Sequence, residues 1–196
     1  RFYTHYISTE DKTYAAYNGF AINDDISAIT YPDHIVFSGT GEIPGTLLDK
    51  DSTGYDSVMA RRIADYGFPG NYNDIVVEDG ITSVGTYAFK GASIRNVTLP
   101  ASCTQIKDTS FRGSGLTSID LSHVTSLGYD AFSFCTSLQN VTLSDQLTYI
   151  PSMCFYECSN KNLTIYVPAS VTAIESDSFK DVQNIIIAKD STLEIP

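Results

Sequence analysis

The stretch that decides the fold is LQNVTLSDQLTYIPSMCF, residues 138–155. It holds two short apolar runs separated by polar turn residues, and it ends on a small residue followed by phenylalanine. The same arrangement occurs four more times, with 22, 21, 23 and 24 residues between successive phenylalanines, which are Phe89, Phe111, Phe132, Phe155 and Phe179. A period of this length predicts a solenoid in which each repeat adds one short strand and a return turn.

A second set of positions keeps the same register as the phenylalanines. The residue before each phenylalanine is small, and these residues are Ala88, Ser110, Ala131, Cys154 and Ser178. A ladder of small residues leaves room for the phenylalanines to stack in one buried column. The alternative is a Ser/Thr/Val-rich β-sandwich with accidental periodicity, and it gives no reason for two ladders to coincide.

The repeat unit L-x-x-V-x-L-P-x-x-V-x-x-I-x-x-x-A-F-x-x-C resembles the leucine-rich repeats of BspA-like surface proteins, the type first described in treponemes. The resemblance covers residues 73 to about 188, and residues 34–43 are similar to a strand that often precedes such arrays. Cys103 in place of valine and Pro151 in place of glycine depart from the unit. The resemblance implies a secreted or cell-surface protein of a host-associated microbe or protist, with a role in adhesion.

The chain divides into two regions on this pattern. Residues 73–196 form an array of about five repeats with a short C-terminal end, and residues 1–72 form a β-rich N-terminal cap with one short helix expected at 57–66. From Asp74 onward we expect six parallel strands about 4.8 Å apart. The predicted fold class is mainly β, a leucine-rich-repeat solenoid with one short parallel strand per repeat of 21–24 residues.

The alternation of side chains along a strand predicts which residues leave the core. If Val97 and Leu99 face the core, one outward residue of each strand falls on a central strip: Val76, Thr98, Asp120, Thr142, Tyr166 and Ile186. A flanking row holds Asn96, Ser118, Asn140, Thr164 and Asn184. We expect ligand binding on this concave face, at Thr98, Asp120, Thr142, Tyr166, Ile186, Asn96 and Asn140; the alternative is a solvated sheet face with no ligand.

The charge balance excludes two classes of partner. The chain has 12 basic and 23 acidic residues, a formal net charge of −11, which repels nucleic acid and anionic membrane surfaces. No stretch approaches the 18 or so apolar residues of a membrane-spanning helix, so we expect no membrane insertion. The charge also favours a monomer over a homopolymer.

The sequence offers no catalytic, cofactor or metal motif. The three histidines, His5, His34 and His123, have no cysteine or histidine at ligand spacing. Gly113-Ser-Gly115 is interpreted as a repeat turn, because glycine adopts the backbone angles that such a turn requires. Residues 49–54 resemble the first half of a calcium loop, but Ala60 stands where the loop requires glutamate. We therefore predict no enzyme activity, no cofactor and no metal.

Two further patterns concern modification and oxidation. Asn96, Asn140 and Asn162 each begin a glycosylation sequon, although a repeat that places asparagine at a turn and threonine in a strand also produces this tripeptide. For the four cysteines we predict buried free thiols. The alternative is one disulfide between Cys135 and Cys158, which alone share a ladder position.

The leading functional hypothesis is an extracellular or cell-surface adhesion module that recognises a host or neighbouring-cell protein or glycan. The alternative is a structural protein that assembles head to tail into surface filaments, because the end of a solenoid presents an open strand.

Overall fold

The structure is a computed structural model that describes residues 2–3, 18–21, 25–31, 34–45 and 74–193. The helix predicted at 57–66 and the incomplete calcium loop at 49–60 lie outside these residues. The division between cap and array at residue 72 remains a prediction for the same reason.

Every regular element among the described residues is a β-strand. The strands are β1 (Phe2–Tyr3), β2 (Asn18–Ala21), β3 (Ile26–Thr30), β4 (His34–Gly39), β5 (Gly41–Ile43), β6 (Asp74–Val77), β7 (Ile81–Val84), β8 (Asn96–Thr98), β9 (Gln105–Ile106), β10 (Ser118–Leu121), β11 (Ser126–Leu127), β12 (Asn140–Leu143), β13 (Tyr149–Ile150), β14 (Thr164–Val167), β15 (Ala173–Ile174) and β16 (Asn184–Ile187). The predicted class, mainly β, is confirmed.

Ten of these strands form the main sheet, in the order β1-β2-β3-β4-β6-β8-β10-β12-β14-β16. The six strands from β6 onward are parallel and in register, which confirms the six strands expected from Asp74. The parallel register also extends one strand upstream, because β4 pairs with β6. The first three strands continue the same sheet in antiparallel pairs.

Alternation along the main-sheet strands places branched apolar side chains in the core. Ile119 pairs with Val97 and Val141, and all three are buried, while their neighbours along the chain point outward. β-branched residues suit this pleated environment, where one repeat packs on the next. Each repeat therefore covers the apolar layer of the preceding one, and the core runs the length of the array.

A second, narrower face of β-structure was not expected from the sequence. It consists of a four-stranded sheet, β11-β9-β7-β5, and the pair β13-β15. These strands come from the second apolar run of each repeat and point Val84, Ile106, Leu127 and Ile150 into the core. One turn of the solenoid, here called a rung, thus consists of a main-sheet strand, a second-face strand and the turn that carries the phenylalanine.

The phenylalanines form the predicted column. Successive rings from Phe89 to Phe179 stack with centroids 5.4, 5.4, 5.3 and 5.7 Å apart and nearly parallel planes. The column begins one ring earlier than expected, because Phe37 meets Phe89 edge to face at 5.5 Å. Phe179 is only half-buried, since no described rung covers it.

The turn around each phenylalanine has a repeated backbone that joins the rungs. Here the Phe turn means the five residues from two before each column phenylalanine to two after it. Both end residues have positive φ, as at Thr109 (60°) and Gly113 (64°) around Phe111. In each of the first four turns, three alternate N–H groups donate to carbonyls of the next turn; Phe132 N–H, for example, donates to Cys154 O at 2.8 Å. Gly113 therefore lies in a repeat turn, as predicted.

Candidate binding face

The outward residues of the main sheet fall on one face in the predicted order. Val76 pairs with Thr98, Asp120 with Thr142, and Tyr166 with Ile186, so the central strip crosses six adjacent strands. At a strand spacing of about 4.8 Å the strip is roughly 24 Å long. The structure thus brings the predicted central residues together on what we call the main-sheet face.

The strip changes in polarity from its middle to its C-terminal end. Thr98, Asp120 and Thr142 are exposed polar residues. The next two positions are apolar and exposed, with Tyr166 at 62% and Ile186 at 45% of full exposure. An open groove of about 290 Å³ lies beside them, lined by Val141, Thr142, Leu143, Tyr166, Val167, Pro168, Ile186 and Ala188. This end of the strip therefore offers an aromatic side chain next to a depression.

The flanking row is in part a hydrogen-bonded ladder. Asn96 Nδ2 donates to Asp74 Oδ1 at 2.9 Å, and Ser118 Oγ donates to Asn96 Oδ1 at 2.7 Å. Asn184 Nδ2 donates to Leu163 O at 3.2 Å. Asn96 is half-buried and already paired, whereas Asn140 is exposed. Of the two predicted asparagines, Asn140 is the one whose exposure leaves it open to a ligand.

Sequence reasoning missed the N-terminal continuation of the strip. Val76 pairs with Val36 of β4, and Val36 pairs with Ile29 of β3. All three are half-buried. The signal was present in the alternation of residues 35–37, but the antiparallel pairing of β3 with β4 has no repeat to reveal it. The main-sheet face therefore has an apolar part at each end and a polar middle.

Reactive chemistry is lacking at this face. Among the residues that the structure describes, no three His, Cys, Asp or Glu side chains are grouped to hold a metal ion. All four cysteines are buried in the core as free thiols, in agreement with the prediction. Burial raises the pKa of the Cys103 and Cys135 thiols to about 11, so they are protonated near neutral pH and poor nucleophiles. The face can recognise a partner by contact, stacking and hydrogen bonding.

Comparison with known proteins agrees with this architecture. Residues 61–186 match the family described as BspA type leucine rich repeat region, in six copies. The chain belongs to the BspA-type leucine-rich repeat family. The resemblance drawn from the repeat unit is thus confirmed, and the sixth copy exceeds the five or so repeats read from the sequence. No curated protein gave a match.

Two solved structures share the fold of this BspA-type array. A leucine-rich repeat protein from Eubacterium ventriosum aligns with a TM-score of 0.63 at 22% identity, over 88% of this chain and 44% of its own. The pneumococcal vaccine antigen PcpA aligns with a TM-score of 0.54 at 17% identity, over 86% of this chain and 49% of its own. At these identities the likeness shows the fold alone. The chain spans less than half the length of either protein.

The structure also bears on the membrane. Within the described part of the chain, no helix is long and apolar enough to cross a bilayer.

Proposed function

We propose that this BspA-type array is a secreted or cell-surface adhesion module whose main-sheet face binds a protein or glycan of a host or neighbouring cell. The observation that carries the proposal is Tyr166, which is 62% exposed at the mouth of the groove beside Ile186. Aromatic residues anchor interfaces because they combine a large apolar surface with a polar tip. Exposed apolar side chains that lie together on a rigid sheet mark a binding site more often than isolated ones do.

The rest of the strip supports recognition over catalysis. Thr98, Asp120, Thr142 and Asn140 present hydroxyl, carboxylate and amide groups to solvent along four adjacent strands. A sugar ring stacked on Tyr166 and an extended protein segment both find hydrogen-bonding partners there. Leucine-rich repeat arrays typically serve as binding or scaffold modules, and a face built of strands holds its side chains in fixed positions.

An extracellular location is part of the proposal. BspA-type membership and the likeness in fold to a vaccine antigen, a protein that antibodies recognise, both favour it. The acidic net charge of −11 gives no support to nucleic acid or an anionic membrane surface as the partner.

The second candidate function is head-to-tail assembly into surface filaments. It is favoured by the last rung, where Ile185 is 40% exposed and Phe179 is half-buried. Against it, β1–β3 extend only the main sheet and do so in antiparallel pairs, so the described N-terminal end does not present a matching rung. We therefore keep the main-sheet face as the proposed binding site.

The experiment is a screen followed by a matched pair of variants. Labelled protein is applied to arrays of immobilised cell-surface proteins and of glycans, and the affinity for each hit is then measured with Tyr166→Ala. Loss of an aromatic anchor should weaken binding about tenfold or more, equivalent to about 1.4 kcal/mol.

Tyr129→Ala is the control, because Tyr129 is 47% exposed but lies at a Phe turn, away from the main sheet. It should leave the affinity unchanged. Equal affinities for wild type and Tyr166→Ala, or an equal loss in both variants, would contradict the proposal.

A further inference from the structure

The C-terminal end of the array exposes the side of a rung that every earlier rung has covered. The last apolar layer surrounds an open cavity of about 990 Å³, whose lining includes Ile174, Phe179, Ile185, Ile187 and Leu193. Leu193 packs against the core from one side but leaves this layer half-exposed. The layer is shaped like the surface on which each rung receives the next.

The backbone at this end is also prepared for a further strand. In every earlier Phe turn, three N–H groups donate to the following turn, as Met153, Phe155 and Glu157 do to residues 176, 178 and 180. The equivalent groups of the last turn are the N–H groups of Asp177, Phe179 and Asp181. Within the described part of the chain none of the three finds a backbone acceptor.

The edge of the main sheet shows the same incompleteness. Ala188 N–H donates to Val167 O, which directs the polar groups of alternate residues toward β14. The N–H and C=O groups of Ile185 and Ile187 therefore point away from the sheet, while their side chains point into the last layer. An exposed edge of this kind pairs readily with an added strand.

The charges around the end decide which strand fits. Residues 172–193 contain four acidic and two basic side chains, all exposed: Glu175, Asp177, Asp181, Asp190, Lys180 and Lys189. Lys180 lies 5.1 Å from the ring centroid of Tyr156 in the preceding rung, so it is turned away from the open end. A second copy docked through the same end would bring two acidic rims together, whereas a basic segment would meet opposite charge.

We propose that the C-terminal end of the array binds an extended apolar segment of a partner protein, flanked by basic residues, that adds as a strand parallel to β16. Alternate apolar side chains of the segment fill the layer between Ile185 and Phe179. Its backbone pairs with the outward groups of Ile185 and Ile187, and its basic flanks lie near the acidic rim. This site is separate from the main-sheet face and stands or falls independently of it.

The test uses three labelled peptides and fluorescence anisotropy. The first has valine at every second position and lysines at both ends, the second replaces the lysines by glutamates, and the third scrambles the alternation of the first. The lysine peptide should bind at least about tenfold more tightly than either of the others at low salt. Its advantage over the glutamate peptide should shrink as salt rises, because screening weakens surface charge interactions.

Variants of the full chain locate the site. Ile187→Pro removes an outward N–H group, and Ile185→Lys places a positive charge in the exposed layer; each should weaken lysine-peptide binding about tenfold. A thermal melt confirms that each variant folds, and the second serves if the proline variant does not. Tyr166→Ala, on the main-sheet face, should bind the peptide like wild type.

Several results overturn the proposal. These are no binding of the lysine peptide at millimolar concentration, equal binding of the three peptides, or binding that both end variants leave intact. Light scattering of the protein alone should show a monomer over a range of concentration and salt. Self-association that Ile185→Lys abolishes would assign the end to a second copy instead.

Discussion

Phe132 occupies the middle of the phenylalanine column and is fully buried, with stacked neighbours on both sides. Phe132→Ala removes a large side chain from a close-packed layer, so it should lower the free energy of unfolding by about 3 to 5 kcal/mol. Thermal or denaturant unfolding measures this directly. Phe179→Ala, at the half-buried end of the column, should cost clearly less; a cost for Phe132→Ala under about 1 kcal/mol would mean that the column is not the core.

Backbone conformation in the Phe turn makes a second prediction. Gly113 has a φ of 64°, and an added Cβ there would meet no atom within 4 Å, so Gly113→Ala tests backbone strain alone. It should destabilise the fold by about 1 kcal/mol. Glu157 holds the equivalent position with a φ of 55°, so Glu157→Gly should be neutral or stabilising by up to about 1 kcal/mol. Destabilisation by both substitutions would show that these turns impose no such strain.

The buried thiols predict a loss of stability at alkaline pH. Burial raises the pKa of Cys135 from about 9 to about 11, so between these values the unfolded chain loses the proton first. This contribution to the free energy of unfolding is complete below pH 9 and falls as the pH rises toward 11. Cys135→Ser, which puts the residue of the preceding repeat, Ser114, at this ladder position, should fall less steeply in urea titrations across that range. Identical slopes would contradict the assignment.

At the scale of the element, the main-sheet strands were predictable because two signals agreed. The repeat fixed which residues are equivalent, and the alternation of side chains fixed which of them face outward. Thr98, Asp120 and Thr142 therefore lie on the face where the sequence put them. The exposure of Tyr166 was not predictable in amount, since it depends on the depression next to it.

The second-face strands were missed for a physical reason. β9, β11, β13 and β15 have two residues each, too few to show an alternation of their own. Their pairing depends on the lateral alignment of rungs that the main sheet and the Phe turns already hold. The strands at the N-terminal end, β1–β3, were equally hidden, because their antiparallel pairs occur once and are not repeated.

Hydrogen exchange tests how the Phe turns join the rungs. The amides of Phe132 and Phe155 donate to the next turn at 2.8 Å and lie in the core, so they should exchange only with global unfolding. The amides of Phe179 and Asp181 have no such acceptor among the described residues and should exchange orders of magnitude faster. Equal protection along the array would mean that the last turn is covered in solution.

At the scale of the whole molecule, a continuous core of stacked rungs supports two separate surfaces. The main-sheet face gathers residues far apart in sequence, such as Val36 and Ile186, onto neighbouring strands of one sheet. The C-terminal end presents the last rung side-on with an acidic rim. A solenoid offers both because its rungs contact only their neighbours, so the outer face and the end remain free.

The most direct test of the central claim is carboxylate footprinting of the protein with and without a partner found on the arrays. Asp120 is exposed at the centre of the strip, whereas Asp108 is exposed beside a Phe turn on the far side of the core. Binding at the main-sheet face predicts a several-fold drop in carbodiimide labelling of Asp120, with the labelling of Asp108 unchanged. Protection of Asp108 with Asp120 still fully labelled would contradict the account.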